Sequence, residues 1–307
     1  MRIWALSDLH LSHPGNRGAL ERLPAFPEDW LLLAGDVTHG ERRLDKCFEL
    51  LTGKFRQVVW VPGNHELWTV PRTTPPLSGV ALYERLVRVA RSHGVLTPED
   101  PYPVVEHPAG PVLIAPLFLL YDYSFRPPHI GREDVVRWAR EGGTVCGDEL
   151  LLHPDPFPDR DSWCAARCED AEARLASHPA DLPKILVNHY PLEEQHAVLP
   201  RIPRFTPWCG TRRTRGWHRR FKACAVVYGH LHIRGTEWLD GVPFHEVSLG
   251  YPKQWDRRRG VAAYLREVRP EMRTAAERKV PIRSASVRDA GAAPRPSAAR
   301  AAGRVAG

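Results

Sequence analysis

The chain of 307 residues holds six cysteines and not one C-x-x-C pair. Cys164 and Cys168 stand four apart, with no second pair at zinc-site spacing, so a zinc-finger or zinc-ribbon framework is excluded. We read Cys47, Cys146, Cys164, Cys168, Cys209 and Cys224 as reduced thiols; the alternative is a local disulfide between Cys164 and Cys168. Long hydrophobic runs are also missing. The best candidate, "VLIAPLFLLY" at 112–121, contains Pro116 and is far short of the roughly eighteen apolar residues of a membrane span. The opening apolar run, Ile3 to Leu6, passes at once into Ser7 and Asp8, so no secretory signal is expected. These absences point to a soluble, cytoplasmic protein without a membrane partner. No internal repeat is visible.

Basic charge is scarce where it would matter for a folded partner surface. The net charge is +7, but residues 270–307 carry eight basic and three acidic side chains. That leaves the other 269 residues nearly neutral, which argues against nucleic acid as the partner. The same C-terminal stretch has almost no large apolar residues. It is expected to be a disordered Ala/Arg/Pro-rich tail over 269–307.

What is present is a strand–helix alternation. "RIWALSD", "DWLLLAGD" and "FRQVVWVPGNH" are short apolar strands that end in polar or glycine-containing clusters. Between them, "RGALERL" and "ERRLDKCFELLTGKF" have helical spacing, with Leu44, Phe48 and Leu51 on one face. The second half repeats this with "KILVNHYP" and "CAVVYGHLHI", and "PFHEVSLGYP" and "GVAAYLREV" read as later strands. The pattern predicts a layered α/β domain over about 1–268. In such sheets, chemistry gathers where the carboxyl ends of the strands emerge. Two segments, about 119–168 and 196–222, fit no period and read as inserted lid or binding loops.

Five strand ends carry polar clusters: Asp8 with His10, Asp36, Asn64 with His65, His189, and His230 with His232. Each alone has an ordinary reading as a cap, a turn or a surface histidine. Together they use only residue types that bind divalent metals through oxygen and nitrogen. Residues two apart on an extended strand end point the same way, which suits D-x-H and H-x-H.

In this set the chain resembles the calcineurin-like metallophosphoesterase superfamily. The blocks D-x-H, G-D, G-N-H-[DE], a lone H after a strand, and G-H-x-H all occur in order. They are Asp8-Leu9-His10, Gly35-Asp36, Gly63-Asn64-His65-Glu66, His189 and Gly229-His230-Leu231-His232. The resemblance implies a four-layer αββα sandwich with inserted lid loops. It implies that Asp8, His10 and His232 hold one metal ion, that Asn64, His189 and His230 hold another, and that Asp36 bridges them. It further implies catalysis by attack of a metal-bridging hydroxide on phosphorus. Asp36 and His65 would then be catalytic, with His65 stabilising the transition state or protonating the leaving alkoxide. Glu66 is expected to support a ligand or the turn from behind.

Protein Ser/Thr phosphatases of the superfamily continue G-D-x-x-D-R-G, whereas this chain has Gly35-Asp36-Val37-Thr38-His39-Gly40. The missing Asp and Arg point to the small-molecule and phosphodiesterase branches. The expected substrate is a small phosphorylated molecule, monoester or diester, with no protein partner identified. The arginine-rich stretch between His189 and His230 offers Arg212, Arg213 and Arg215 as phosphate-binding candidates. Trp208, Trp217 and Tyr121 can stack on a substrate ring or pack in the core. The mixed oxygen and nitrogen donor set favours Mn²⁺ and accepts Fe, Zn, Co or Ni. A nuclease and a silent binding scaffold on the same fold are the alternative functions.

Overall fold

In a computed structural model of the protein, residues 1–69 and 77–270 are described. The region 1–272 forms one compact unit. The tail expected over 269–307 lies, from 271 onward, outside the described residues.

The first half lays down β1 (Ile3–Leu6), β2 (Phe26–Ala34), α1 (Glu41–Thr52), β3 (Phe55–Val61) and α2 (Gly79–Ser92). The second half adds β4 (Val104–His107), β5 (Gly110–Pro116), α3 (Val135–Glu141), α4 (Asp148–Leu151), α5 (Arg160–Ala176) and β6 (Lys184–Val187). It closes with α6 (Trp217–Arg220), β7 (Ala223–Tyr228), β8 (Gly235–Leu239), β9 (Val242–Glu246) and β10 (Arg266–Glu267). Two sheets result, ordered β10-β1-β2-β3 and β4-β5-β6-β7-β9-β8. The inner strands of both run parallel, and β10, β4 and β8 are antiparallel edges.

Period-two side-chain alternation sorts the strands into layers. Leu32, Ala34, Val59 and Val61 of the first sheet meet Ile114, Ile185, Val187, Ala225 and Val227 of the second in a central apolar layer. Their neighbours Leu31, Leu33, Val58 and Trp60 face outward, onto Leu44, Phe48 and Leu51 of α1 and Leu86 and Ala90 of α2. On the far side Leu113, Leu186, Val226 and Phe244 face Trp163, Ala171 and Leu175 of α5. The molecule is therefore an αββα sandwich. Burial on both faces explains why these strands read as continuous apolar runs.

Two expected elements differ. "RGALERL" forms turns rather than a helix. Leu20 and Leu23 are buried, but Gly18 takes φ +72° and Pro24 follows, so no helical ladder extends. "GVAAYLREV" yields a short 3-10 turn at Val261–Tyr264 and only the two-residue β10. The aromatic residues of the inserted segments pack inward: Tyr121, Trp208 and Trp217 are each at most 2% exposed. Core packing, not ring stacking on a ligand, is what these three do. All six cysteines are free and buried, so the Cys164–Cys168 disulfide does not form.

The second inserted segment is pinned by a buried ionic clip. His218 Nδ1 lies 3.1 Å from Glu193 Oε1 and its Nε2 lies 2.9 Å from Asp240 Oδ2. The Gly216 amide also donates to Glu193 Oε1. Burial alone would lower the His218 pKa, but the two carboxylates raise it above its ordinary 6.5. Glu193, despite burial, is held below its ordinary 4.5 by His218 and the Gly216 amide. A raised histidine stabilises below its unfolded pKa and loses that contribution as pH rises through the folded value. A lowered carboxylate does the reverse. The clip is thus strongest between about 4.5 and 6.5. His218→Asn should cost about 1–3 kcal/mol at pH 6 and progressively less toward pH 9, read from urea midpoints at each pH. A pH-independent cost would show that the charge is not what holds the segment.

Candidate metal centre and active site

The carboxyl ends of β1, β2, β3, β6 and β7 emerge along one rim of the sandwich, each carrying one of the five clusters. Backbone hydrogen bonds stitch the rim: Asp8 N–H to Gly35 C=O, Gly229 N–H to His189 C=O, and Ser7 N–H to Val247 C=O. At this rim Asp8, Asp36, His10, His230 and His232 all take positive φ, between 42° and 71°. L-residues pay on the order of 1–2 kcal/mol for that conformation. It turns each chain sharply back after its strand and aims the side chain inward. Glycine is required where the backbones come closest. A Cβ on Gly63 would stand 2.1 Å from Asp36 Oδ1, and one on Gly229 would stand 2.2 Å from Asp8 Oδ2.

The seven expected metal ligands are brought together in two neighbouring groups. Asp8, His10 and His232 offer ligand atoms within 4.8 Å of one another, as do Asp36, His189 and His230. His10, Asp36 and His65 form a third such group. Asn64 joins the second: its Oδ1 lies 3.2 Å from His189 Nε2. The histidine tautomers follow from their outer contacts. His189 Nδ1 bonds the Ala34 carbonyl at 2.8 Å, so it carries the proton and Nε2 presents a lone pair. His232 Nδ1 likewise bonds Gln254 Oε1 at 2.8 Å. Its Nε2 lies 3.1 Å from Asp8 Oδ1; burial opposes protonation there, but Asp8 raises the His232 pKa above its ordinary 6.5. Asn64 spends its N–H₂ on Asp148 and turns its oxygen to His189. Acceptor therefore faces acceptor where Asn64 meets His189, and His230 Nε2 is buried without a hydrogen-bond partner among the described residues.

Such an arrangement suits cations. Burial, and then the carboxylates of Asp8 and Glu66, push Asp36 well above the usual carboxylate range. Burial also drives the His10 imidazole down to about 3, and lowers His189 and His230. Burial opposes ionisation of Asp8 too, but His232, His189 and His10 hold its pKa well below the ordinary value. Imidazole nitrogens, carboxylate oxygens and one amide oxygen, brought together and buried, form a donor set that divalent metal ions fit.

Glu66 is not aimed at the cluster. Its buried carboxylate accepts the amides of Asp36, Val37, Thr38 and Gly63 at 2.6–3.3 Å. One side chain thereby clamps the loop after β2 to the loop after β3. Burial raises its pKa to about 7 against those four N–H donors.

His65 sits between two rings, 3.7 Å from Trp68 and 4.6 Å from His10 by centroid, with Nε2 3.7 Å from Asp36 Oδ2. Burial and the neighbouring imidazoles hold it neutral. The three arginines fare differently. Arg212 is engaged by both oxygens of Glu194 at 2.7 and 2.8 Å, and Arg213 faces Asp122 at 3.6 Å. Arg215 has no ion pair among the described residues and lines a cavity of about 300 Å³ with Arg212 and Glu194.

Sequence reading missed Asp148, Tyr251 and Gln254. Tyr251 stacks on His10 at 4.3 Å and 14°, and Gln254 orients His232. Asp148, at the start of α4 in the first inserted segment, is fully buried. Its Oδ1 accepts from Asn64 Nδ2 at 2.8 Å and Trp68 Nε1 at 2.7 Å. No motif marks it, because it reaches the site by folding alone.

The class defined by this fold and site is a metal-dependent phosphoesterase. The model of the calcineurin-like phosphoesterase family matches residues 1–234, and the chain belongs to that family. It is a hydrolase of phosphoric ester bonds. Among individual relatives, it is 46% identical over 271 residues to the [acyl-carrier-protein] phosphodiesterase PptH of Mycobacterium tuberculosis strain H37Rv. The match covers 88% of this chain and 83% of that protein. The crystal structure of phosphopantetheinyl hydrolase (PptH) from the same species superposes with a TM-score of 0.84. That match covers 89% of this chain and 98% of the solved one.

Asp148→Ala should lower metal affinity about 10–100-fold, the usual effect of losing a partner behind a ligand. Asp148→Asn, which keeps an oxygen for both donors, should retain most of it. Titration of the metal-free protein with Mn²⁺, followed calorimetrically, checks both; equal losses would show that the charge of Asp148 matters rather than its geometry.

Proposed function

We propose that this chain hydrolyses the phosphodiester that attaches a phosphopantetheinyl group to an acyl carrier protein. The observation that carries the substrate is the 46% identity to PptH across nearly the whole domain. The reacting group is then a small phosphorylated moiety, as the sequence led one to expect, but it is borne on a protein. The catalytic domain is residues 1–268, and its site is the rim of facing acceptors.

In this reading Asp8, His10 and His232 hold one divalent cation, Asn64, His189 and His230 hold a second, and Asp36 lies between them. Bound there, the two cations would lower the pKa of a shared water and offset charge on the phosphoryl oxygens. Mn²⁺ or iron suits the thiolate-free donors best. The chain's own residues do the rest. Glu66 holds Asp36 in place, and Asp148 holds Asn64. Trp68 and Tyr251 cover ring faces of His65 and His10, keeping water off them. His65, neutral beside Asp36, hydrogen-bonds the ester oxygen that leaves and offsets the charge developing on it. A diester needs that help because an alkoxide is a poor leaving group. Arg215, without an ion pair among the described residues, is the least committed of the three arginines and the one we assign to a phosphate or its pantetheine chain; Arg212 and Arg213 serve it less directly. The six buried thiols support a reducing, cytoplasmic setting. Among the described residues no helix is long and apolar enough to cross a membrane.

With Mn²⁺ added, the enzyme should convert holo-acyl carrier protein to its apo form, seen as a loss in intact mass. Hydrolysis of bis(4-nitrophenyl) phosphate without that conversion would remove the substrate reading and leave the reaction class. His65→Ala should lower kcat about 10²–10⁴-fold with its bound metal unchanged. If the bound metal also falls, His65 is a ligand, as its closeness to His10 and Asp36 permits.

A further inference from the structure

A carrier-protein substrate, on the reading above, brings a second folded protein to the rim of the site. Such a protein needs a surface of its own beside the rim. Between α1 and α2 runs an open groove of about 880 Å³, walled by Arg42, Arg43, Lys46, Arg85 and Arg88. It also contains Glu41 and Asp45, but both are spent: Glu41 pairs with Arg85 at 2.6 Å, and Asp45 with His93 at 2.8 Å. Arg42, Arg43, Lys46 and Arg88 have no carboxylate within ion-pair distance among the described residues.

This is an uncompensated local charge on a domain that is otherwise close to neutral. Arg42 and Lys46 are an i, i+4 pair of like sign on α1, an arrangement that costs helix stability by a few tenths of a kcal/mol. Arg43 looks onto a second hollow shared with Lys46. Nothing in the fold uses these cations. A concave wall of one sign concentrates its potential and captures oppositely charged partners.

The groove begins near the site, at Gly40, the residue after His39. The His39 ring lies 6.3 Å from His65 and 6.0 Å from Trp68. A protein seated along α1 and α2 would thus present a tethered group to the rim at His65. The groove lacks the exposed aromatic rings on which single-stranded nucleic acid stacks. We propose that the α1–α2 groove is the docking surface for the acidic face of the carrier-protein substrate, held by Arg42, Arg43, Lys46 and Arg88.

The test is a charge-reversed variant, Arg42→Glu, Lys46→Glu, Arg88→Glu, in the full-length metal-loaded enzyme. All three side chains are exposed and none touches the metal centre. The substrates are holo-acyl carrier protein and bis(4-nitrophenyl) phosphate, and direct binding of apo-acyl carrier protein is measured by fluorescence anisotropy. KM for the carrier protein should rise about tenfold or more with kcat nearly unchanged, because such rim charges act on encounter. Turnover of the small diester should not move. Raising salt from about 50 to 300 mM should weaken carrier-protein binding in the wild type and hardly at all in the variant. Unchanged KM and unchanged apo-protein binding would overturn the docking surface, as would equal losses on both substrates. Wild-type enzyme that binds apo-carrier protein through the groove but does not cleave the holo form would retain the docking surface and defeat the substrate reading. Tighter capture of single-stranded DNA than of the carrier protein, lost in the variant, would assign the groove to nucleic acid instead.

Discussion

Everything at the rim depends on holding lone pairs against one another. His189 Nε2 and Asn64 Oδ1 turn acceptors on each other at 3.2 Å, and Asp8 and His232 crowd to 3.1 Å beside them. No folded chain would choose this for stability. The sandwich supplies the means: two sheets of parallel strands whose ends are cross-bonded, five left-handed turns, and glycines where a Cβ would collide. Glu66 is central to it. By taking four backbone amides it converts two independent loops into one rigid piece, and so fixes Asp36 between the two ligand groups. Binding of cations then repays strain already present, which is how a site can be built before its metal arrives.

The second sheet and the inserted segments serve the first in unequal ways. Strands β6 and β7 bring His189 and His230. The inserted segments mostly fill the core with Tyr121, Trp163, Trp208 and Trp217. Yet the first of them also delivers Asp148, whose single oxygen holds both Asn64 and the Trp68 indole stacked on His65. An insertion that looks like a cover is therefore part of the site's foundation. The ionic clip of Glu193, His218 and Asp240 ties the other insertion to the β8–β9 edge in the same spirit.

Much of this was legible along the chain because strands buried on both faces are nearly all apolar, so polar residues stand out where the strands end. Asp8, His10, Asp36, Asn64, His65, His189, His230 and His232 all sit at such breaks. The helix expected at "RGALERL" failed for an equally local reason: two buried leucines satisfy a helical pattern, but they satisfy a turn that packs them just as well. Asp148 was illegible because its neighbours in sequence are not its neighbours in the site. Arg212 looked available and is bound to Glu194, eighteen residues earlier, a pairing that spacing alone does not reveal.

By itself the sequence determined the layered α/β class, the strands that carry the five polar clusters, the candidate donor residues at their ends and the reaction type. Each of these follows from local pattern: apolar period, polar strand ends, and the chemistry of Asp, Asn and His. Only the tertiary structure decided which nitrogen of each histidine faces the cluster, what Glu66 clamps, which arginines remain free, and that Asp148 stands behind Asn64. Those are long-range pairings, set by how the two sheets stack and where the insertions land, and a linear pattern carries no distance between residues eighty or more positions apart.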